Sequence, residues 1–305
     1  DLGAHDLTIF RTSAGAFSGT IGAANGKILT NGVGRFILMG GTTRANYNQT
    51  YPLATGTTGA YRYSPVVLNF TTGNISAGGL NLRAIGQRHP LSAANIANKY
   101  FEVRTTGNWT NVTGSLTLGY TQSEVNGTQS NYVGRFLNTT NGSNWGVNSA
   151  TLANGGSSPN FNTAFNYTNS SNIAGTYTFG EAASFPSSIL WSKTSGNWTT
   201  SGTFVSGGYL GSTNEVPTAT SYVVIGNNRT VTANANNLQV AGLLLEPTGT
   251  LELGYTEGHN FGKVSGNGTL SFILDSVFSE NPVFPSGDFS DFFSEQGNGT
   301  VAFGG

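Results

Sequence analysis

Tyr222-Val223-Val224-Ile225, Thr230-Val231-Thr232, Leu243-Leu244-Leu245, Thr250-Leu251-Glu252-Leu253 and Thr269-Leu270-Ser271-Phe272 decide how this sequence reads. Each run is three or four residues long, rich in β-branched, aliphatic or aromatic side chains, and set off by Gly, Asn or Pro. That is a strand pattern. Strands this short and this evenly punctuated do not suit a sandwich. They suit the stacked coils of a parallel β-helix, each built from short strands and turns with Leu, Val and Phe facing inward. Leu238-Gln239-Val240 and Thr300-Val301-Ala302-Phe303 continue the pattern, so residues 189–305 are read as coil-like.

Upstream the runs lengthen. Pro65-Val66-Val67-Leu68-Asn69-Phe70, Leu80-Asn81-Leu82-Arg83-Ala84-Ile85, Lys99-Tyr100-Phe101-Glu102-Val103-Arg104, Ser115-Leu116-Thr117-Leu118, Tyr132-Val133-Gly134-Arg135-Phe136 and Thr176-Tyr177-Thr178-Phe179 alternate apolar and polar positions. Such spacing predicts a β-sandwich over 41–182. Residues 183–188, with Pro186, read as a linker, and 91–98 as a turn of helix. Asn31-Gly32-Val33-Gly34-Arg35-Phe36 echoes Asn267-Gly268-Thr269-Leu270-Ser271-Phe272 and Asn298-Gly299-Thr300-Val301-Ala302-Phe303. The Asn-Gly turn allows positive φ before an inward strand, so 1–40 reads as coil-like too. The expected fold is all-β, a β-sandwich module flanked by parallel β-helix-like coils.

Composition agrees. Of 305 residues 44 are Gly, and Asn, Ser and Thr dominate the polar remainder. Nineteen Phe and twelve Tyr supply a core. Charged residues make up 9% and the net charge is -1. That excludes the clustered Lys and Arg of a nucleic-acid binder and a polybasic membrane patch. No apolar run nears the roughly 20 residues of a membrane span. There is no Cys and one Met, so there is little to oxidise on an exposed surface.

Tyr51-Pro52-Leu53, Tyr61-Arg62-Tyr63-Ser64-Pro65-Val66, His89-Pro90, Lys99-Tyr100-Phe101 and Tyr132-Val133-Gly134-Arg135-Phe136 follow one another in a familiar order. This order resembles a sandwich module of very large secreted proteins of Bacteroidetes. Ser195-Gly196-Asn197-Trp198, Val216-Pro217-Thr218 and Tyr222-Val223-Val224-Ile225 resemble the opening of its β-helical neighbour. The family is that of repetitive cell-surface adhesins of the gliding-motility type, exported by type IX secretion. The resemblance implies an extracellular or cell-surface location and a role in adhesion. It also implies O-glycosylation at Ser276, within Asp275-Ser276-Val277. The chain reads as a window of a longer repetitive protein.

His5, His89 and His259 lie far apart with no metal-ligand spacing. Asp288, Asp291 and Glu295, interleaved with aromatics, form the best carboxylate cluster and a candidate calcium site, though without EF-hand spacing. No other cofactor is implied. No phosphate-loop or Gly-x-Ser-x-Gly motif is present. Trp109, Trp145, Trp191 and Trp198 are candidate sugar-stacking platforms if exposed.

The expectation is a non-enzymatic spacer or multivalent adhesin. Its partners would be neighbouring modules, identical subunits or surface glycans. The alternatives are a self-assembling extracellular filament subunit and a carbohydrate-active β-helical enzyme. Leu2, Leu7 and Ile9 come almost at once and Val301 and Phe303 almost last, so both ends are expected to be covered by neighbouring coils.

Overall fold

Strand pairing alone separates two halves of this computed structural model, one built on antiparallel ladders and one on parallel ladders. The structure describes residues 1–10, 26–30, 32, 34–39, 47–57, 60–76, 78–139, 142–147, 160–167, 173–273, 283–294 and 298–304. Among these the chain is all-β, and its helical content is three 3-10 turns of three residues each. The first compact unit comprises Asp1–His89, Ala94–Thr140 and Gly146–Ser184. The second comprises Pro90–Ala93, Asn141–Trp145 and Phe185–Gly305.

The strands of the first unit, in chain order, are β1 (Leu7–Phe10), β2 (Ile28–Leu29), β3 (Phe36–Met39), β4 (Tyr47–Tyr51), β5 (Leu53–Thr55), β6 (Arg62–Tyr63), β7 (Val66–Ser76), β8 (Gly79–Ile85), β9 (Ile96–Thr105), β10 (Asn108–Gly119), β11 (Tyr132–Leu137), β12 (Gly146–Val147), β13 (Asn160–Tyr167) and β14 (Gly175–Glu181). A seven-stranded sheet runs β1-β3-β8-β9-β14-β11-β12, and a four-stranded sheet runs β13-β10-β7-β4. Period-two alternation places one face of each sheet in a shared core. Leu80, Leu82, Phe101, Val103, Tyr177 and Phe179 come from the larger sheet, and Val66, Leu68, Phe70, Trp109, Leu116 and Leu118 from the smaller. Each such side chain contributes roughly 1.5–3 kcal/mol by burial. The register of β7 against β10 shifts around Thr113, where Asn111 has φ 51° and Gly73 φ 120°. A Cβ at Gly73 would sit 2.4 Å from Val112 Cα, so glycine is required there.

Two expectations are corrected here. Residues 1–40 do not stand apart from 41–182. The pairs β1–β3 and β2–β5 are parallel, as in coils, but β3 then pairs antiparallel with β8. The reason is Phe36, buried in the same core as Leu82 and packed on Tyr51 at 4.8 Å. The boundary between the two units falls between Ser184 and Phe185, inside the expected linker 183–188, and the stretch is packed there: Ser184 and Phe185 are buried and the Phe185 ring lies edge-on to Trp145 at 5.2 Å. The stretch 91–98 forms no helix: Ile96 already starts β9.

The second unit holds β15 (Leu190–Ser192), β16 (Gly196–Asn197), β17 (Phe204–Ser206), β18 (Thr213–Glu215), β19 (Tyr222–Ile225), β20 (Thr230–Ala233), β21 (Gly242–Leu245), β22 (Thr250–Leu253), β23 (Asn260–Gly266), β24 (Thr269–Ile273), β25 (Ser286–Asp288) and β26 (Thr300–Gly304). One ladder, β15-β19-β21-β23-β25, is parallel throughout. So is the other, β16-β20-β22-β24-β26. From β19 onward the chain alternates between them, adding one strand to each in turn.

Constant register stacks like on like. Val223, Leu243 and Val264 form one inward column, and Val231, Leu251, Leu270 and Val301 another. All belong to one core, with Val301 packed against its edge. Gly268 serves this stacking, since a Cβ there would lie 2.5 Å from the carbonyl oxygens of Glu246 and Gly249. At the other end the first ladder continues antiparallel into β17 and β18.

Candidate functional site

The second ladder presents an outward row that the sequence reading did not single out. Thr230, Thr250, Thr269 and Thr300 are register partners on β20, β22, β24 and β26. They alternate with the inward Val231, Leu251, Leu270 and Val301, so their side chains leave the opposite face. Parallel strands set successive hydroxyls about 4.8 Å apart. A second outward row holds Thr232, Glu252 and Ser271, in which Thr232 Oγ1 donates to Glu252 Oε2 at 2.9 Å. Asn227 extends this polar surface at the neighbouring turn. Its Nδ2 donates to Glu246 Oε2 at 2.8 Å, and its Oδ1 accepts from Thr248 Oγ1 at 3.2 Å.

At the last strands the surface turns apolar. Phe303 of β26 is 67% exposed and stacks on Phe272 of β24 at 5.3 Å. Val283, Phe284 and Phe293 are exposed as well. Phe284 packs on Phe289 at 4.9 Å, and Phe289 on Phe293 at 6.0 Å. Among the described residues β25 and β26 are the outermost strands of their ladders, beside these aromatic rings.

The carboxylates of the candidate calcium site are arranged around a lysine. Asp288 lies opposite Lys263 in the β23–β25 register, with Oδ2 3.6 Å from Lys263 Nζ. Asp291 Oδ2 is in contact with the same ammonium. Hydrogen bonds from Ser290, Oγ at 2.6 Å and N at 3.1 Å, hold the Asp288 carboxyl below its ordinary range, opposed by partial burial and helped by Lys263. The protein's own cation thus stands between the two carboxylates. Among the described residues no group of three or more His, Cys, Asp or Glu converges on a metal-sized site. Glu295 and Ser276 lie outside the described residues.

The four tryptophans offer no indole face to a sugar, which corrects the stacking expectation. Trp109, Trp145, Trp191 and Trp198 are 4%, 8%, 0% and 1% exposed. Three donate their indole N–H to backbone oxygens: Trp109 to Thr106, Trp145 to Leu91 and Trp191 to Ser143. Trp198 packs between Phe204 and Phe261 at 5.2 and 5.6 Å. Buried apolar area outweighs display for rings of this size.

The histidines do not converge either. His259 is buried, with Nδ1 accepting from the Leu238 N–H and the ring on Phe261 at 5.6 Å, and burial pushes its pKa down. His89 is buried edge-on to Tyr100, and His5 is exposed.

A second buried cation escaped the sequence reading. Lys99 Nζ donates to Glu124 Oε2 at 2.7 Å and lies 2.6 Å from Oε1, with Ser64 Oγ as a further acceptor. The signal was present: Lys99 shares the inward face of β9 with Phe101 and Val103.

A scan against protein-family models, a search of curated proteins and a search of solved structures each found no match to this chain. No helix among the described residues is long and apolar enough to cross a membrane.

Proposed function

We propose that this chain is a structural and adhesive segment of an extracellular cell-surface protein, a rigid spacer that carries a weak, multivalent contact surface. In this reading the second unit is a parallel β-helix, its two ladders being two faces of one coil. The first unit is a β-sandwich with coil-like strands at its start. The observation that carries the reading is the constant register of the parallel ladders. It stacks one apolar column inside and one threonine row outside, and each added strand repeats the same small contact. Individually weak contacts repeated at fixed spacing gain avidity. Low charge and a composition rich in Thr, Asn and Gly support an extracellular setting, with surface glycans as ligands and no enzymatic role.

Beads coated densely with the purified chain should adhere to glycan-bearing cell surfaces, whereas the free chain should compete poorly. Beads that adhere no better than beads bearing an unrelated β-protein would overturn the adhesive reading.

A second reading, a self-assembling filament subunit, is favoured by one observation: Phe303 and Phe293 are exposed beside β25 and β26, the outermost described strands of their ladders. Open edges that add the next copy without closure give filaments. Sedimentation should then show concentration-dependent growth that Phe303→Asp abolishes. A chain that stays monomeric at high concentration removes this reading.

A further inference from the structure

Lys263, Asp288 and Asp291 form an arrangement that neither adhesion nor stacking uses. Lys263 and Asp291 side chains are each 8% exposed, whereas that of Asp288 is 54% exposed. Asp291 sits in the turn after β25, next to Phe292 and two residues from Phe289, both buried in the core. An amine and a carboxyl are therefore pressed together at the margin of an aromatic core, with a second, water-facing carboxylate 3.6 Å from the same nitrogen.

We propose that Lys263 and Asp291 are joined by an intramolecular amide bond that the folded chain forms on itself, with Asp288 as the proton carrier. In the proposed step one proton first passes from the Lys263 ammonium to the Asp291 carboxylate, which leaves an amine and a carboxylic acid in contact. The amine lone pair then attacks Cγ of Asp291. The Nζ–Cγ bond forms and one Cγ–O bond breaks. Asp288 takes one proton from the nitrogen and returns it to the departing hydroxyl, which leaves as water. The products are one secondary amide and one water, with no change of oxidation state and no co-reactant. Holding amine and carboxyl in permanent contact is worth effective concentrations of up to about 10⁵–10⁸ M in well-oriented intramolecular reactions. Ser290 fixes the position of the Asp288 carboxylate through two hydrogen bonds, within reach of the Lys263 nitrogen.

The pair Lys99–Glu124 is the internal contrast. It is equally close and wholly buried, but among the described ion pairs no second carboxylate reaches Lys99. It has no proton carrier of this kind and remains an ion pair. The amide at Lys263 would tie β23 to the turn beyond β25 and hold the outermost strand of that ladder in place under load.

Intact mass spectrometry of the full purified chain tests this directly. The expected mass is one water below that of the sequence, and proteolysis should release a branched peptide joining Lys263 to Asp291. Lys263→Arg and Asp291→Ala should each restore the full mass, and Asp288→Ala should give a mixture. A native chain at its full sequence mass overturns the proposal, as does a water loss that mapping assigns elsewhere, Lys99–Glu124 included. The decisive reading is made on the unmutated chain, so it does not depend on any variant folding.

Discussion

The ammonium of Lys99 lies 2.6 Å from Oε1 of Glu124, and neither side chain has any exposed surface. Thr121 holds Glu124 as well, its N–H and Oγ1 donating to Oε2 at 2.8 and 3.1 Å. Burial pulls the Lys99 pKa down to about 8, and Glu124 pulls the other way. Removing one partner strands the other as a buried charge, which costs about 3–5 kcal/mol. Glu124→Gln should therefore lower the guanidinium midpoint of the first unit sharply. The double change Lys99→Met with Glu124→Met should recover most of the loss, since apolar replacement of a buried pair is often neutral or better.

Glu102 sets the acid limit of the same unit. Burial alone would raise its pKa, but Arg35, Arg83 and Arg104 outweigh it and hold the carboxyl at about 2, against an ordinary 4.5. Below pH 4.5 the unfolded chain takes up this proton before the folded one does. The stabilisation is thus complete above pH 4.5 and is lost as pH falls toward 2, by on the order of 2–3 kcal/mol. Thermal unfolding across that window should show the slope. Glu102→Gln should be less stable at pH 7 and should flatten it.

The two faces of the parallel ladder should respond unequally to truncation to alanine. Leu251, fully buried between Val231 and Leu270 in register, should cost about 2–5 kcal/mol as Leu251→Ala. Its sequence neighbour Thr250, on the outward row, should stay within about 0.5 kcal/mol as Thr250→Ala. Urea unfolding of the two variants distinguishes them.

Calcium should not stabilise the native chain, because the Lys263 side chain, linked to Asp291, occupies the space between Asp288 and Asp291 and leaves one carboxylate there. The melting temperature should be equal in excess calcium and in chelator. Lys263→Met removes the amide and the nitrogen between Asp288 and Asp291, and calcium should then raise the melting temperature of the variant.

Tryptophan emission should be blue-shifted and poorly quenched by iodide, because all four indoles are buried. Added oligosaccharides should leave the spectrum unchanged.

What the sequence determined by itself is what local chemistry controls. Short punctuated runs of Val, Leu and Phe determine strands, and period-two alternation determines their inward residues. Val223, Leu243, Leu251 and Phe272 were legible as core for that reason. Even Lys99 could have been placed, since its face is fixed by Phe101 and Val103. Partnership across the chain is decided by the tertiary structure alone. No spacing rule says that Phe36 shares a core with Leu82, that Glu124 returns to Lys99, or that Lys263 stands between Asp288 and Asp291. Nor does the sequence separate a displayed tryptophan from a buried one. An indole face buries the same apolar area wherever it finds a partner, and which partners exist depends on strand order, set by long-range pairing and not by the residues beside it.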